Sequence, residues 1–155
     1  MNFKNKLIFS VVSGVFFASF SMADALQPDE AMITESFNKA EWVSTLKIEG
    51  VRSLVNQAMS QTKPYVAIQG YRYSASVLKD WKGSHAVDDT VKFRVDLTDC
   101  MDQLELDGEY VVFGTSNYRN SLQVFSCKDL ISIEAMQPLM SPLTELSNSH
   151  RENTK

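Results

Sequence analysis

The run Thr90-Val91-Lys92-Phe93-Arg94-Val95-Asp96-Leu97 alternates without a break. Val91, Phe93, Val95 and Leu97 fall on one side, and Lys92, Arg94 and Asp96 on the other. A period of two is the pattern of a half-buried strand and is incompatible with an amphipathic helix. A strand of this kind needs neighbours, and the flanking sequence supplies them. Tyr65 to Trp81 is long and rich in β-forming residues, with Gly70 at a bend. Tyr110 to Phe113 is a continuous apolar run, as expected of a central strand buried on both faces. Leu122 to Cys127 reads as the final strand, and Asp107-Gly108 as a turn before the central one.

Upstream, Leu46 and Ile48 alternate with Lys47 and Glu49, which predicts a first strand opening at Trp42 and continuing to Leu54. Gly50 marks a bulge or a close backbone approach. Asn56 to Pro64 is polar and reads as a connection, and Lys82-Gly83-Ser84-His85 as a turn. Before the strands, Pro28, Asp29 and Glu30 suit a first helical turn, and Met32, Ile33, Phe37 and Ala40 recur at helical spacing to about Lys39. After them, Ser132 offers an N-cap to Ile133–Met136. Pro138 and Pro142 limit that helix to short pieces. Ser147 to Lys155 is polar and reads as a frayed tail. The expectation is a mainly β domain of five strands in a small barrel or sandwich, with a short helix before and a broken helix after.

The N-terminus carries a leader. Lys4 and Lys6 precede the apolar stretch Leu7–Ala18, and Ser21-Met22-Ala23 is a small-x-small cleavage site, with Ala23-Asp24-Ala25 as a second candidate. This is the pattern of a secretory signal peptide over residues 1–23, cleaved before Asp24. The apolar stretch is short for a membrane span, and no later stretch is apolar enough to serve as a stable anchor. The expected location is the periplasm or the outside. Without the leader, 13 basic residues face 19 acidic ones, which argues against a nucleic-acid partner. The two cysteines, Cys100 and Cys127, form an even pair in an exported chain, and such a pair suggests one disulfide.

The order of these pieces resembles the netrin-like domain, the fold shared with the tissue inhibitors of metalloproteinases, and in particular its short bacterial members. The matching pieces are Ala40-Glu41-Trp42-Val43, Tyr73 to Gly83 with its Trp-Lys-Gly turn, Cys100, Gly108 to Phe113, Cys127, and Ser132 to Leu146. The resemblance spans residues 37–146. It implies a five-stranded OB-type barrel flanked by helices, occupying residues 24–146 and followed by a flexible tail over 147–155. Inhibitors of this family begin with Cys-x-Cys, whose first amine and carbonyl ligate the protease zinc. Nothing from Asp24 to Trp42 is a cysteine. Cys100 and Cys127 look like the two downstream partners of the missing pair, and the resemblance therefore implies that they bond to each other.

Chemistry-bearing motifs are scarce. His85 lies in a turn and reads as a solvated histidine, and His150 lies in the tail. There is no Gly-x-Ser-x-Gly, no phosphate loop and no two-histidine zinc spacing, so no catalytic residue, metal ligand or cofactor site is assigned. Asp96, Asp99, Asp102, Glu105, Asp107 and Glu109 form a run of carboxylates read as a solvated acidic face, with a weak calcium site as the alternative. Tyr65, Tyr71, Tyr73 and Trp81 read as barrel wall and core, with a partner-binding aromatic patch as the alternative. The expected function is non-enzymatic: an exported netrin-like domain that binds a protein partner in the cell envelope or outside. The alternative is a metalloprotease inhibitor that acts without the zinc-chelating cysteine.

Overall fold

The computed structural model describes residues 28–59, 64–96, 103–116, 122–124 and 126–154, with the side chains of 56–67 excepted. The leader, Leu97, Asp99, Cys100 and Asp102 lie outside the described residues, as does the side chain of Tyr65.

The chain is mainly β, with a closed five-stranded barrel between helices. Helix α1 (Glu30–Lys39) begins where Asp29 accepts a hydrogen bond from the amide of Met32 at 2.7 Å, satisfying one of the donors that a helix start leaves free. Then follow β1 (Trp42–Met59), β2 (Pro64–Lys82), β3 (Thr90–Asp96), β4 (Glu109–Ser116) and β5 (Leu122–Val124). Their order around the barrel is β1-β2-β3-β5-β4, and β4 returns to pair with β1. All neighbours are antiparallel except β3 and β5, which run parallel. A short β6 (Leu130–Ser132) shares with β5 one edge of β4. Helix α2 (Ile133–Met136) and helix α3 (Met140–Asn153) close the chain.

Alternation sorts the side chains into two cores. Leu46, Ile48, Tyr73, Ala75, Val77, Val91, Phe93, Val95, Val112 and Val124 fill the barrel. Ile33, Phe37, Val43, Trp81, Val111, Phe113, Ile131, Met136 and Leu143 pack the helices against its outer wall. Strand β4 serves both, Val112 inward and Val111 and Phe113 outward, which is why its apolar run is continuous rather than alternating. Trp81 covers the outer wall, and its indole donates to Thr45 Oγ1 at 2.9 Å. Gly83 follows with φ +141°, a conformation few side chains tolerate.

Four expectations change. The polar segment from Asn56 is strand as far as Met59, and the partner strand starts at Pro64, because the hairpin ladder outlasts the apolar pattern. The last barrel strand stops its pairing at Val124, and Cys127 opens a 3-10 turn (Cys127–Asp129) instead of ending a strand. The short β6 goes unannounced by any period in its three residues. The expected frayed tail is instead the body of α3, which continues to Asn153. Pro142 sits in the first turn of that helix, where no intrahelical N–H is required of it. Ser147 is buried and donates to the carbonyl of Trp81 at 2.6 Å, so a polar residue fixes α3 to the barrel.

Candidate functional site

Strands β1 and β2 are far longer than the barrel requires. Strand β1 pairs with β4 only from Trp42 to Lys47, and β2 pairs with β3 only from Gly70 to Ser76. Beyond those limits the two strands pair with each other, out to Met59 and Pro64. Gly70 is the last residue of the β2–β3 ladder, and a side chain there would collide with the carbonyl of Val95. The glycine lets β2 stay close against β3 to the end of that ladder, beyond which the described β2 residues pair with β1 alone. Val51 and Tyr71 are the last residues packed on the barrel core.

Past them, Val55 and Ile68 lie directly opposite each other and are 56% and 47% exposed. An apolar cross-strand pair in water is a cost to the isolated fold, because its burial would contribute about 1.5–3 kcal/mol per side chain. Among the described residues, nothing pairs with the outer backbone edges of this ribbon. A two-stranded ribbon with open edges is marginal alone and is a ready template for a further strand.

The expected candidates fall elsewhere. Tyr73 is buried and stacks on Phe93 with ring centroids 5.3 Å apart, and Tyr71 leans on Tyr73, so both belong to the core and not to an exposed platform. The Tyr73 hydroxyl accepts from the amide of Leu104 at 3.1 Å, and burial pushes its pKa up. Of the acidic run, Asp96 is tied to Arg94 at 2.6 Å, and Asp107 lies 3.3 Å from Lys47. Among the described residues no three acids, histidines or cysteines converge as metal ligands.

His85 is not a solvated turn residue. Its ring meets Trp42 edge-on at 6.0 Å, and its Nδ1 is buried and has no hydrogen-bond partner among the described residues. Asp80 Oδ1 lies 3.9 Å from that nitrogen and accepts instead from Ser44 Oγ at 3.0 Å. A serine, an acid and a histidine thus share one corner. The buried serine is bonded to the carboxylate rather than to the imidazole, so the three are not arranged as a serine–histidine–acid relay. His150, expected in the tail, packs edge-on against Phe37 from α3.

Two grooves flank α1. One, of about 480 Å³, holds Asp129, whose carboxyl is raised above its ordinary range by burial and accepts from Ser36 Oγ at 3.1 Å. Lys39 and Lys128 stand on its rim and oppose that shift. The other, of about 500 Å³, brings Cys127 together with Gln103, Leu104 and Tyr110. No described helix is long and apolar enough to cross a membrane. No protein-family model matches the chain, and no curated protein matches its sequence.

Proposed function

We propose that this chain is an exported, non-enzymatic, netrin-like OB-type domain that binds a protein partner through the β1–β2 ribbon. The observation that carries the reading is the ribbon itself: two strands prolonged beyond the barrel, with Val55 and Ile68 exposed in register. An exposed apolar pair and strand edges unpaired among the described residues fit recognition by β-augmentation, in which the partner's backbone adds to the sheet and pockets read alternate side chains. The barrel order, with β3 and β5 parallel and β4 closing on β1, supports the OB-type reading.

The leader supports export to the periplasm or beyond. The Cys100–Cys127 disulfide belongs to the same proposal. Cys127 lies beside Gln103 in one groove, and Cys100 is three residues from Gln103, a reach of at most about 11 Å.

The test is capture from envelope extract by the purified protein, beside the variants Val55→Asp and Ile68→Asp. A partner retained by the natural chain and lost with both variants, at unchanged melting temperature, is the expected result. Capture that ignores both substitutions removes the ribbon from the proposal. Nanomolar inhibition of a zinc metalloprotease, abolished when the N-terminal amine is acetylated, would replace the proposal with the inhibitor alternative.

A further inference from the structure

The register of the barrel wall creates a feature that the sequence order hides. Arg52 on β1 stands opposite Arg72 on β2, and Arg72 stands opposite Arg94 on β3. The side chains of one row share a face, and the core-packed neighbours of the arginines, Val51, Tyr71, Tyr73, Phe93 and Val95, point the other way. Three guanidinium groups therefore cross three adjacent strands in line, over roughly 10 Å at the usual strand spacing. Lys92, exposed on β3, extends the same face two residues along, opposite Ser74 and Gly50. Like charges placed directly opposite each other destabilise a sheet. A chain of net charge -4 has acids enough to pair them off. Yet among the described residues only Arg94 has a partner, Asp96 at 2.6 Å, and Arg52 and Arg72 have none. Glu49, the extra residue of the β1 bulge, is the other acid nearby and is in no ion pair among the described residues. The arrangement costs the fold and, among the described residues, leaves Arg52 and Arg72 as unpaired cationic donors beside the paired Arg94.

We propose that this outer face of β1, β2 and β3 is a docking site for a linear acidic polysaccharide. Charge complementarity is the first argument: guanidinium groups take carboxylate or sulfate oxygens in pairs, with better geometry than an ammonium. The second is relief. Gly50, Ser74 and Gly70 flank the arginine row with almost no side chain, so a narrow chain can lie close to the sheet between the arginines. The third is what the face lacks. Nucleic-acid strands bind open sheets by stacking bases on aromatic rings, and Tyr71, Tyr73 and Phe93 pack on the barrel core instead. A bilayer is gripped by exposed apolar side chains beside the cations, and among the described residues of this face the apolar one, Leu54, is half-buried. Val55 alternates away from Arg52 on β1, and the register shift between Leu54 and Val55 carries Ile68 across to the side of Val55, so this site is separate from the proposed partner surface.

The experiment uses the purified protein with heparin as the probe, by affinity chromatography and by anisotropy of a labelled heparin fragment. Binding at low salt that weakens steeply as salt rises is expected. Each of Arg52→Gln, Arg72→Gln and Arg94→Gln should raise the dissociation constant about tenfold. Arg72→Lys should keep part of the affinity, and Lys39→Gln, away from this face, should change nothing. Arg72→Gln should melt no lower than the natural chain, since it removes a like-charge contact. The proposal is overturned by no binding at low salt, or by a triple arginine variant that binds as the natural chain does. It is also overturned if anionic phospholipid vesicles bind through these arginines and heparin does not compete.

Discussion

Replacing Gly114 with alanine sets two effects of opposite sign against each other. Gly114 lies in β4 directly opposite Trp42 of β1, and the indole lies across it. A Cβ on Gly114 would stand 2.6 Å from Trp42 Nε1 and nearer still to Cε2 and Cζ2. The ring has nowhere to go: it is 3% exposed, and it lies against Phe93 at 6.4 Å and His85 at 6.0 Å. Its Nε1 also donates to the carbonyl of Thr115 at 3.2 Å. Alanine in a strand normally gains roughly 0.5–1 kcal/mol over glycine by restricting the unfolded chain. Overpacking costs about 1–3 kcal/mol, and displacing the indole N–H from its acceptor about 1–3 kcal/mol more. Packing wins, and Gly114→Ala should lose about 3 kcal/mol, a large share of the ~5–15 kcal/mol that holds a domain together. Urea denaturation should show a lower midpoint at unchanged slope, and near-ultraviolet dichroism should report the disturbed indole. A variant as stable as the natural chain, or more so, would show that Trp42 is not wedged against this glycine.

Two further outcomes follow from the cysteines and from Asp129. Thiol titration of the folded, oxidised protein should find no free thiol, and reducing the proposed Cys100–Cys127 bond should cost at most about 3–4.7 kcal/mol, the chain-entropy range for loops of about 15 to 100 residues; two titratable thiols would refute the pairing. Burial raises the Asp129 carboxyl in the folded protein, so its contribution to stability is fully present below the ordinary carboxylate range and is lost as pH rises through the raised value. Asp129→Asn keeps an acceptor for Ser36, and it should flatten stability across that window, read as urea midpoints against pH; an unchanged pH profile would mean that burial of Asp129 is too slight to matter.

The strands of the barrel were legible where one face meets the core and the other meets water. Val91, Phe93 and Val95 declare β3 because Lys92 and Arg94 interrupt them. The N-cap at Ser132 was legible because it rests on a local hydrogen bond, whereas Asp29, read as part of a first helical turn, is the cap just before it. The continuation of helix α3 past Leu146 was not legible, because its hold on the barrel comes from Ser147 reaching the Trp81 carbonyl, sixty-six residues away, and a polar residue carries no sign of burial. Asn56 to Met59 read as a connection because the strand there is held by its ladder to β2 alone, and no core imprints a period on it. His85 read as solvated because nothing near it in the sequence announces Trp42.

The candidate surfaces were illegible for a sharper reason. Arg52, Arg72 and Arg94 each look like the polar half of an ordinary alternation, and that alternation is sufficient to explain any one of them. Only the register converts three unremarkable positions into a row, and the register is set elsewhere. It depends on the shift between Ile48 and Gly50, which moves Arg52 into line with Arg72. Without that bulge the pairing would slip by one residue, turn Arg52 to the other side of the sheet and bring Val51 out of the core. The same bulge thus seats Val51 on the barrel core and aligns the arginines on its outer wall. Packing at Val51 already requires the bulge, so stability alone accounts for where Arg52 points. It does not account for the choice of arginine there, since glutamate at position 52 would point the same way and would pair with Arg72 across the strands.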